Sequence, residues 1–281
     1  MGSLNDEHSK EQDFLKNYDF SQYERPSVTA DIAAFTIKTE NSDNYRRDDI
    51  RKLALLLVKR AEFPFKNQWA LPGGFVRADE TIEECALRKT LSKTGINPVS
   101  IMPVGTFSKP SRDPRGRVIS NAFVSVITGD TQNIHGDDNT ADVKWFDVFF
   151  EKSDDDIINL SLKHSDIHLK AVLKETSNKF GFPEYHIIDS GTLAFDHAAI
   201  IAAALTALRN CIGNFEFALD FLPPKFTLSE LQCVQETVLN VSMLTANFRR
   251  KAANYVEETG EYITGAGHRP AMLYKRKNTR R

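Results

Sequence analysis

The chain has 281 residues, of which 41% are hydrophobic and 26% are charged, and this composition fits one large globular domain or two of ordinary size. No apolar run approaches the roughly 20 residues that span a bilayer, and the polar N-terminal stretch has no signal-peptide core. Three widely spaced cysteines, Cys85, Cys211 and Cys233, argue against a disulfide framework or a metal knuckle, so we expect a cytoplasmic protein.

Charge is distributed unevenly, although the formal net charge is only −2. Residues 245–281 include nine Lys or Arg and three Glu, whereas the rest of the chain has 27 basic and 35 acidic residues. A mildly acidic body with a basic C-terminal end indicates a nucleic-acid partner. A solvated basic tail is the alternative interpretation of the charge alone.

The first part of the chain predicts an α+β domain. Residues 1–22 are a polar lead-in that we expect to be partly disordered. A helix is predicted at 196–213, between an Asp196 N-cap and a Gly213 C-cap. Branched and apolar residues predict strands of a mixed sheet at 27–38, 52–60, 117–127 and 142–148. We assign this domain to residues 23–220, within which 151–190 gives no clear signal.

A second domain is predicted at residues 221–281. The two prolines in "FLPPKF" make a short, stiff connector. Two helices are predicted, at 227–240 behind a Thr227–Glu230 capping box and at 245–258. Two strands around a glycine-rich tip follow within 260–277. Helix, turn, helix and hairpin is the order of a winged helix-turn-helix domain.

A helix predicted at 81–94 has the most specific motif. It begins at a Thr81–Glu84 capping box, and positions 89, 92 and 93 lie on one of its faces. Glutamates at these positions would hold Mg²⁺ beside the phosphates of a substrate. This chain instead has Lys89, Ser92 and Lys93.

The spacing from Gly74 through Glu80 and Arg88 to Gly95 resembles the Nudix box, G-x5-E-x7-R-E-U-x-E-E-x-G-U. The resemblance implies a Nudix-like, mixed-sheet α/β/α sandwich in which lysines and a serine replace the metal-binding glutamates. Lysines repel a dication, and Glu80 alone is a poor Mg²⁺ site. We therefore expect no catalytic residues, no bound metal and no required cofactor. The cleft is either scaffold or a pocket that holds a nucleotide without cleaving it.

Several residues are candidates for such a pocket. The loop in "FSKPSRDPRGRV" is a phosphate or ribose clamp or else an exposed basic loop, and it resembles the "RDPRGR" loop of Nudix enzymes acting on ADP-ribose. Two phenylalanines suit stacking on an adenine, although each also suits a core. Asp31, polar within a predicted strand, marks the pocket floor or a surface turn. The predicted effector site comprises Asp31, Phe75, Glu80, Arg88, Phe107, Arg112 and Arg115.

The C-terminal domain has its own candidates, for DNA. In a recognition helix the N-terminal residues meet base edges and neighbouring cations meet phosphates. An arginine after the glycine-rich tip would enter a minor groove. An ordinary charged helix face is the alternative. The predicted DNA-binding residues are Thr245, Asn247, Arg249, Arg250 and Lys251 in the helix, and His268, Arg269 and Lys275 in the wing.

Together the two halves resemble one family, the Nudix-related transcriptional regulators called NrtR. The stretches that match are "PFKNQWALPGGFV", "LAFDHAAII", "FTLSELQ", "NFRRK" and "GHRPAMLY". The resemblance implies a repressor of NAD-metabolism genes whose pocket senses ADP-ribose, or a related nucleotide, and then releases DNA.

A homodimer on a palindromic, double-stranded operator follows from that function, because one small winged helix makes few contacts. We expect no association with membranes. Two alternatives stay open at this point. One is an ADP-ribose pyrophosphatase with an accessory nucleic-acid-binding domain, and the other is a sugar-sensing regulator of pentose use with the same architecture.

Overall fold

The computed structural model describes residues 2–40, 50–98, 100–128, 133–263 and 270–277. Within these ranges the helices are α1 (Gly2–Asn17), α2 (Ile82–Thr94), α3 (His197–Cys211), α4 (Phe215–Ala218), α5 (Leu228–Leu239) and α6 (Thr245–Ala252). The strands are β1 (Ser27–Glu40), β2 (Ile50–Arg60), β3 (Trp69–Ala70), β4 (Gly73–Phe75), β5 (Ser100–Phe107), β6 (Val118–Val126), β7 (Thr140–Lys152), β8 (Ile157–His164), β9 (Ile167–Ser177), β10 (Pro183–Asp189), β11 (Val256–Ile263) and β12 (Ala271–Arg276).

Ten strands form one mixed sheet in the order β10-β9-β8-β7-β2-β1-β6-β5, with β3 paired to β2 and β4 paired to β1. The pairing of β1 with β6 is parallel, and the pairing of β1 with β2 and with β4 is antiparallel. Strand β1 therefore lies at the centre, where it meets three other strands. The predicted α+β class with a mixed sheet is confirmed.

Side-chain alternation along β1 divides the core between the two faces of the sheet. Ala30 and Ile32 are buried in a cluster that includes Cys85 and Ala86 of α2. Phe35 is buried in a second cluster, on the other face, that includes most of α3. The sandwich of α2, sheet and α3 follows from the period of two in a strand that is covered on both sides.

Two segments differ from expectation. The polar lead-in, which we expected to be partly disordered, forms helix α1, and its Glu, Lys, Gln and Leu residues are good helix formers. Residues 151–190 contain the end of β7 and strands β8 to β10. In β8 and β9 alternate residues, from Ile158 to Leu173, are buried against the α3 side of the sheet, a period-two pattern that was readable in the sequence.

The C-terminal part is a helix-turn-helix followed by a hairpin, as predicted, although the second helix is shorter. Helix α6 ends at Ala252, and a turn leads to β11 at Val256. The predicted helical continuation to residue 258 is wrong because residues 256–258 pair with residues 274–276 of β12.

One hydrophobic core runs through both parts of the chain. Phe215, in α4, packs against Phe248 of α6 and against Tyr255, with ring centroids 5.5 and 5.0 Å apart. Gln235 Nε2 donates a buried hydrogen bond of 2.9 Å to Ile212 O. The division of the chain at residue 221 stays a prediction.

No single helix in the described part of the chain is both long and apolar enough to cross a membrane. The bent pair of His197–Cys211 and Phe215–Phe221 passes that test by length and composition only.

We expect Phe215→Ala to destabilise both parts of the chain together, because Phe215 is only 5% exposed and packs against the winged helix. The expected loss is about 3–5 kcal/mol in the free energy of unfolding. Urea denaturation measures it through tryptophan fluorescence, which reports on the sheet residues Trp69 and Trp145, and through far-UV circular dichroism. The two probes should give one coincident transition.

Phe180→Ala is the control, because Phe180 is 73% exposed and its truncation should change stability by less than about 0.5 kcal/mol. Separate fluorescence and dichroism transitions in the wild type would contradict the shared core.

Candidate functional site

At one end of the central sheet β1, β4, the loop after β2, the β5–β6 loop, α2 and the start of α3 meet around a group of charged and aromatic side chains. We call this site the cleft. The residues that ion pairs, hydrogen bonds and ring contacts join there are Asp31, Arg60, Phe65, Phe75, Arg112, Asp113, Arg115, Phe195, Asp196 and His197. Lys89 and Lys93, on α2, border this group.

Asp31 lies at the floor of the cleft and is 7% exposed. Its carboxylate accepts a hydrogen bond from Ser120 Oγ and lies 4.0 Å from His197 Nε2. Burial lowers the pKa of His197, and its Nδ1 accepts a hydrogen bond of 2.9 Å from Leu71 N. His197 is therefore a neutral ring, held by the chain before α2, with its other nitrogen directed toward Asp31. A side chain at Gly73 would place a Cβ 2.1 Å from Asp31 Oδ1, so the floor requires glycine there.

The two arginines of the β5–β6 loop have different surroundings. Arg112 is buried, with its side chain 3% exposed. Its Nε and Nη2 donate to the two carboxylate oxygens of Asp196 at 2.9 and 2.7 Å, and Nη2 lies 3.9 Å from Asp31. Arg115 makes a similar bidentate pair with Asp113, but its side chain is 42% exposed. Arg112 thus holds the cleft together, whereas Arg115 is open to a ligand.

Aromatic rings and guanidinium groups alternate across the mouth of the cleft. The Arg115 guanidinium carbon lies 5.0 Å from the centroid of Phe75 and 5.5 Å from that of Phe195. Arg60 lies 5.0 Å from Phe195, and the ring of Phe65 is 4.6 Å from the Phe195 ring. These separations are typical of cation–π contact. The surface suits both a planar base and phosphate oxygens.

Sequence reasoning missed Phe195 and Arg60. Phe195 has a φ of 54°, a left-handed conformation that costs a non-glycine residue about 1–3 kcal/mol and is typical of ligand sites. The sequence offered one signal for Phe195 as a site residue, which is its position directly before Asp196, where α3 begins. Nothing local to the sequence places Arg60, at the end of β2, against that ring.

The face of α2 that borders the cleft is cationic. A Cβ on Gly74 would lie 2.7 Å from Lys89 Cε, so the Lys89 side chain lies across β4. Lys93 is partly buried, and burial lowers its pKa while Asp137 opposes the shift. Among the described residues there is no group of three or more His, Cys, Asp or Glu side chains placed to hold a metal ion.

Glu80 and Arg88, both predicted to touch an effector, are bound to each other. Arg88 Nε donates to Glu80 Oε2 at 2.7 Å, Nη2 donates to Oε1, and Arg77 N–H donates to Oε1 at 2.9 Å. The hydrogen bonds from Arg88 lower the pKa of Glu80 to about 2. The pair fastens the loop before α2 to that helix, so its role is to position the loop.

Phe107 is also displaced from its predicted role. It lies at the end of β5, half-buried against the core on the α3 side. Within the described residues its ring has no contact with the rings of Phe75 or Phe195. It therefore packs as a core residue, the alternative recognised from the sequence.

The predicted recognition helix, α6, presents its polar residues outward. Phe248 and Ala252, four residues apart, are buried, which leaves the opposite face to solvent. Within the described chain none of its three cations is part of an ion pair, so their charge is available to phosphates. The exposed residues are Thr245, Asn247, Arg249, Arg250 and Lys251.

Among the residues that the structure describes, the basic side chains of the hairpin, unlike those of α6, are bound to other groups of the chain. Lys275 Nζ lies 3.0 Å from Glu257 Oε1 in a pair that is about half exposed. Arg276 Nη2 donates to Asp220 Oδ1 at 2.6 Å, and Lys277 Nζ donates to Ala253 O at 2.6 Å. Arg276 and Lys277 are thus bound within the chain, and the role of Lys275 in DNA binding stays a prediction. His268 and Arg269 lie outside the described residues.

Comparison with known proteins extends over both parts of the chain. The Nudix domain model matches residues 44–149, and the model of the NrtR DNA-binding winged helix domain matches residues 218–275. The chain is 31% identical over 277 residues to the ADPR responsive transcriptional repressor NtrR of Acinetobacter baylyi, covering 97% of this chain and 91% of that protein.

Two crystal structures share the whole architecture. A MutT/nudix family protein from Enterococcus faecalis superposes with a TM-score of 0.71 at 29% identity, over 96% of this chain and 93% of that one. Shewanella oneidensis NrtR complexed with a 27mer DNA superposes with a TM-score of 0.60 at 27% identity, over 89% and 93%.

We expect the carboxyl of Glu80 to titrate with a pKa of about 2 and Arg88→Ala to return it toward 4.5, the ordinary value. Because the folded-state pKa is lowered, this pair stabilises the fold above about pH 4.5, and its contribution is lost as the pH falls toward 2. Side-chain NMR during an acid titration measures the change. Arg77→Ala is the control: it keeps the backbone N–H that binds Glu80, so the pKa should stay low. An ordinary pKa for Glu80 in the wild type would contradict the pairing.

Proposed function

Since this chain belongs to the NrtR family of Nudix-domain regulators, we propose that it is a transcriptional repressor whose cleft binds ADP-ribose and thereby releases DNA. The proposal includes a homodimer on a two-fold operator, NAD-metabolism genes as targets, and a cytoplasmic location with the DNA. The observation that supports the proposal best is the position of helix α3. This helix begins in the cleft, and its C-terminal end contacts α5 of the DNA-binding part.

The cleft suits ADP-ribose because it combines aromatic faces with cations. The exposed sides of Phe75 and Phe195 offer stacking surfaces for an adenine. Lys89, Lys93 and Arg60 supply positive charge for the pyrophosphate. A partly buried ammonium such as that of Lys93 gains most from an anion, because the local dielectric is low and burial already disfavours its charge.

The same lysines argue against hydrolysis. Cleavage of a pyrophosphate by a Nudix box relies on a metal ion that polarises phosphoryl oxygens and supplies the nucleophile. Here two ammonium groups occupy the ligand face of α2, and the remaining motif carboxylate, Glu80, is paired with Arg88. We therefore propose that the protein binds its effector without cleaving it and needs no cofactor.

Helix α3 provides a mechanical route from the cleft to α5. At its N-terminal end, Asp196 is held by Arg112 and His197 by Leu71. At its C-terminal end, Arg209 Nε donates to Val238 O at 3.1 Å, and Ile212 O accepts from Gln235 Nε2. The helix has 15 residues, about 22 Å at 1.5 Å per residue. A ligand that shifts Phe195 or Asp196 would therefore also shift the residues that contact α5, Arg209 and Ile212.

The direct test is a mobility shift on the DNA upstream of the protein's own gene, with and without ADP-ribose. The proposal expects a complex that disappears as ADP-ribose is added, with a mass that corresponds to two copies of the chain. Phosphorylated pentoses and NAD, tested in parallel, distinguish a sugar-sensing regulator. Absence of any complex on upstream DNA, or a complex that ADP-ribose leaves intact, would reject the proposal.

We expect calorimetry to show ADP-ribose binding without Mg²⁺, and we expect no AMP when Mg²⁺ is present. Lys93→Glu should weaken binding at least tenfold, because it puts a like charge beside the pyrophosphate. Lys170→Glu, an exposed change in β9, is the control with the same change of charge and should leave the affinity unaltered. Production of AMP that depends on Glu80 would instead establish the pyrophosphatase alternative.

We expect Arg209→Ala to separate effector binding from DNA release. It removes the hydrogen bond from α3 to Val238, worth about 1 kcal/mol, so the ADP-ribose-induced change in Kd for DNA should shrink by about fivefold. The separate affinities for ADP-ribose and for DNA, by calorimetry and fluorescence anisotropy, should remain close to wild type.

Lys225→Ala is the matched control, since the exposed pair of Lys225 with Glu261 lies within the DNA-binding part. Full release by ADP-ribose in Arg209→Ala, equal to that in Lys225→Ala, would show that α3 is not the route.

A further inference from the structure

The turn between α5 and α6 exposes two large apolar side chains. Val241 is 51% exposed and Leu244 is 75% exposed. Among the large apolar residues that the structure describes, only Phe63, at 81%, is more exposed than Leu244. The tip of the helix-turn-helix thus presents apolar surface where the predicted DNA-binding helix begins.

Leu244 is also an unusual way to begin that helix. It is the N-cap of α6, with φ −69° and ψ 113°, and its side chain makes no capping hydrogen bond. Helices α2 and α5 begin at Thr81 and Thr227, each in a complete capping box. Ser, Thr, Asp and Asn are strongly preferred over Leu at an N-cap. Neither burial nor helix capping accounts for a leucine at this position.

The rest of α6 has an exposed polar and cationic face. Phe248 and Ala252 face the core, so Ala246 and Arg250 lie on the opposite side of the helix, one turn apart. Asn247, Arg249 and Lys251 flank them and are exposed. An exposed apolar side chain at the start of a helix that also has three exposed cations, none of them in an ion pair within the described chain, is complementary to a polyanion that has apolar groups recessed between its phosphates.

The major groove of DNA has such a group. Thymine alone among the four bases places a methyl, on C5, at the edge that the major groove exposes, and apolar side chains recognise it by contact. The first residues of a recognition helix are those that reach base edges. Asn247 suits the bidentate recognition of an adenine, so the two side chains together favour A·T pairs.

We infer that Leu244 determines sequence specificity by packing against the C5 methyl of a thymine in the operator. The inference rests on the proposed DNA-binding function and adds a residue and a base to it. An apolar protein partner is the competing occupant of this tip, and a thymine-to-uracil substitution distinguishes the two because it removes only the methyl.

The test uses the full-length protein and a duplex selected by it from a random-sequence pool, then resynthesised with deoxyuridine at each thymidine in turn. For the wild type, loss of the contacted methyl should raise Kd about fourfold. Leu244→Ser should raise Kd for the thymine duplex by a similar or larger factor and should no longer distinguish thymine from uracil at that position.

Serine is chosen because it is a good N-cap, so Leu244→Ser should leave α6 intact and raise Tm by about 2 °C. Two controls accompany it. Ile188→Ser removes an apolar side chain that is 58% exposed in β10 and should change neither Kd. Arg250→Ala should weaken both duplexes equally and flatten the slope of log K against log salt by about one.

A Leu244→Ser protein that still prefers thymine to uracil, or a wild type indifferent to every substitution, would overturn the inference while DNA binding stands. Failure of the wild type to retain any duplex would instead reject the proposed function and this inference with it.

Discussion

A buried guanidinium between two carboxylates holds the cleft in place. Arg112 lies between Asp31 of β1 and Asp196 at the start of α3, with its side chain 3% exposed. Without it, the buried carboxylate of Asp31 and the partly buried carboxylate of Asp196 would both lose their cationic partner, which is unfavourable. The pairing holds the start of α3, beside Phe195, against β1. The proposed route from the cleft to α5 along α3 starts at this arrangement.

The second determinant is a reversal of charge on α2. The helix begins at the Thr81–Glu84 capping box and ends at the left-handed Gly95, as the Nudix-box spacing led us to expect. Lysines on the ligand face change what the helix attracts: an anion in place of a dication. The proposed receptor for a charged nucleotide thus includes the positions where the Nudix box has its metal-binding glutamates. A pocket of this kind regulates DNA binding only if ligand binding changes the DNA-binding part. In our proposal α3 transmits that change, because it extends from the cleft to α5.

Predictions from the sequence succeeded where the signal was local. Capping boxes, helix stops and the spacing of α2 were all present in short windows, so α2 and α5 were located correctly, whereas the hairpin begins four residues before its predicted start. Asp31 is buried within β1 and not at a surface turn, and its role in binding an effector stays a prediction. The predictions were wrong where a side chain had more than one partner within reach. Glu80 and Arg88 bind each other, and Phe107 joins the core.

The sequence by itself determined the architecture, the loss of the metal ligands and the cationic face of α6, because these depend on residue type and spacing along a single element. Only the tertiary structure decided which groups meet. The alternation of Phe75, Arg115, Phe195 and Arg60 assembles from four segments, and the register of a long-range sheet brings them together. Likewise, the exposure of Leu244 depends on the orientation of α6, which the packing of Phe248 against Phe215 fixes. Contacts between distant segments are set by packing of the whole core, which no local window of sequence contains.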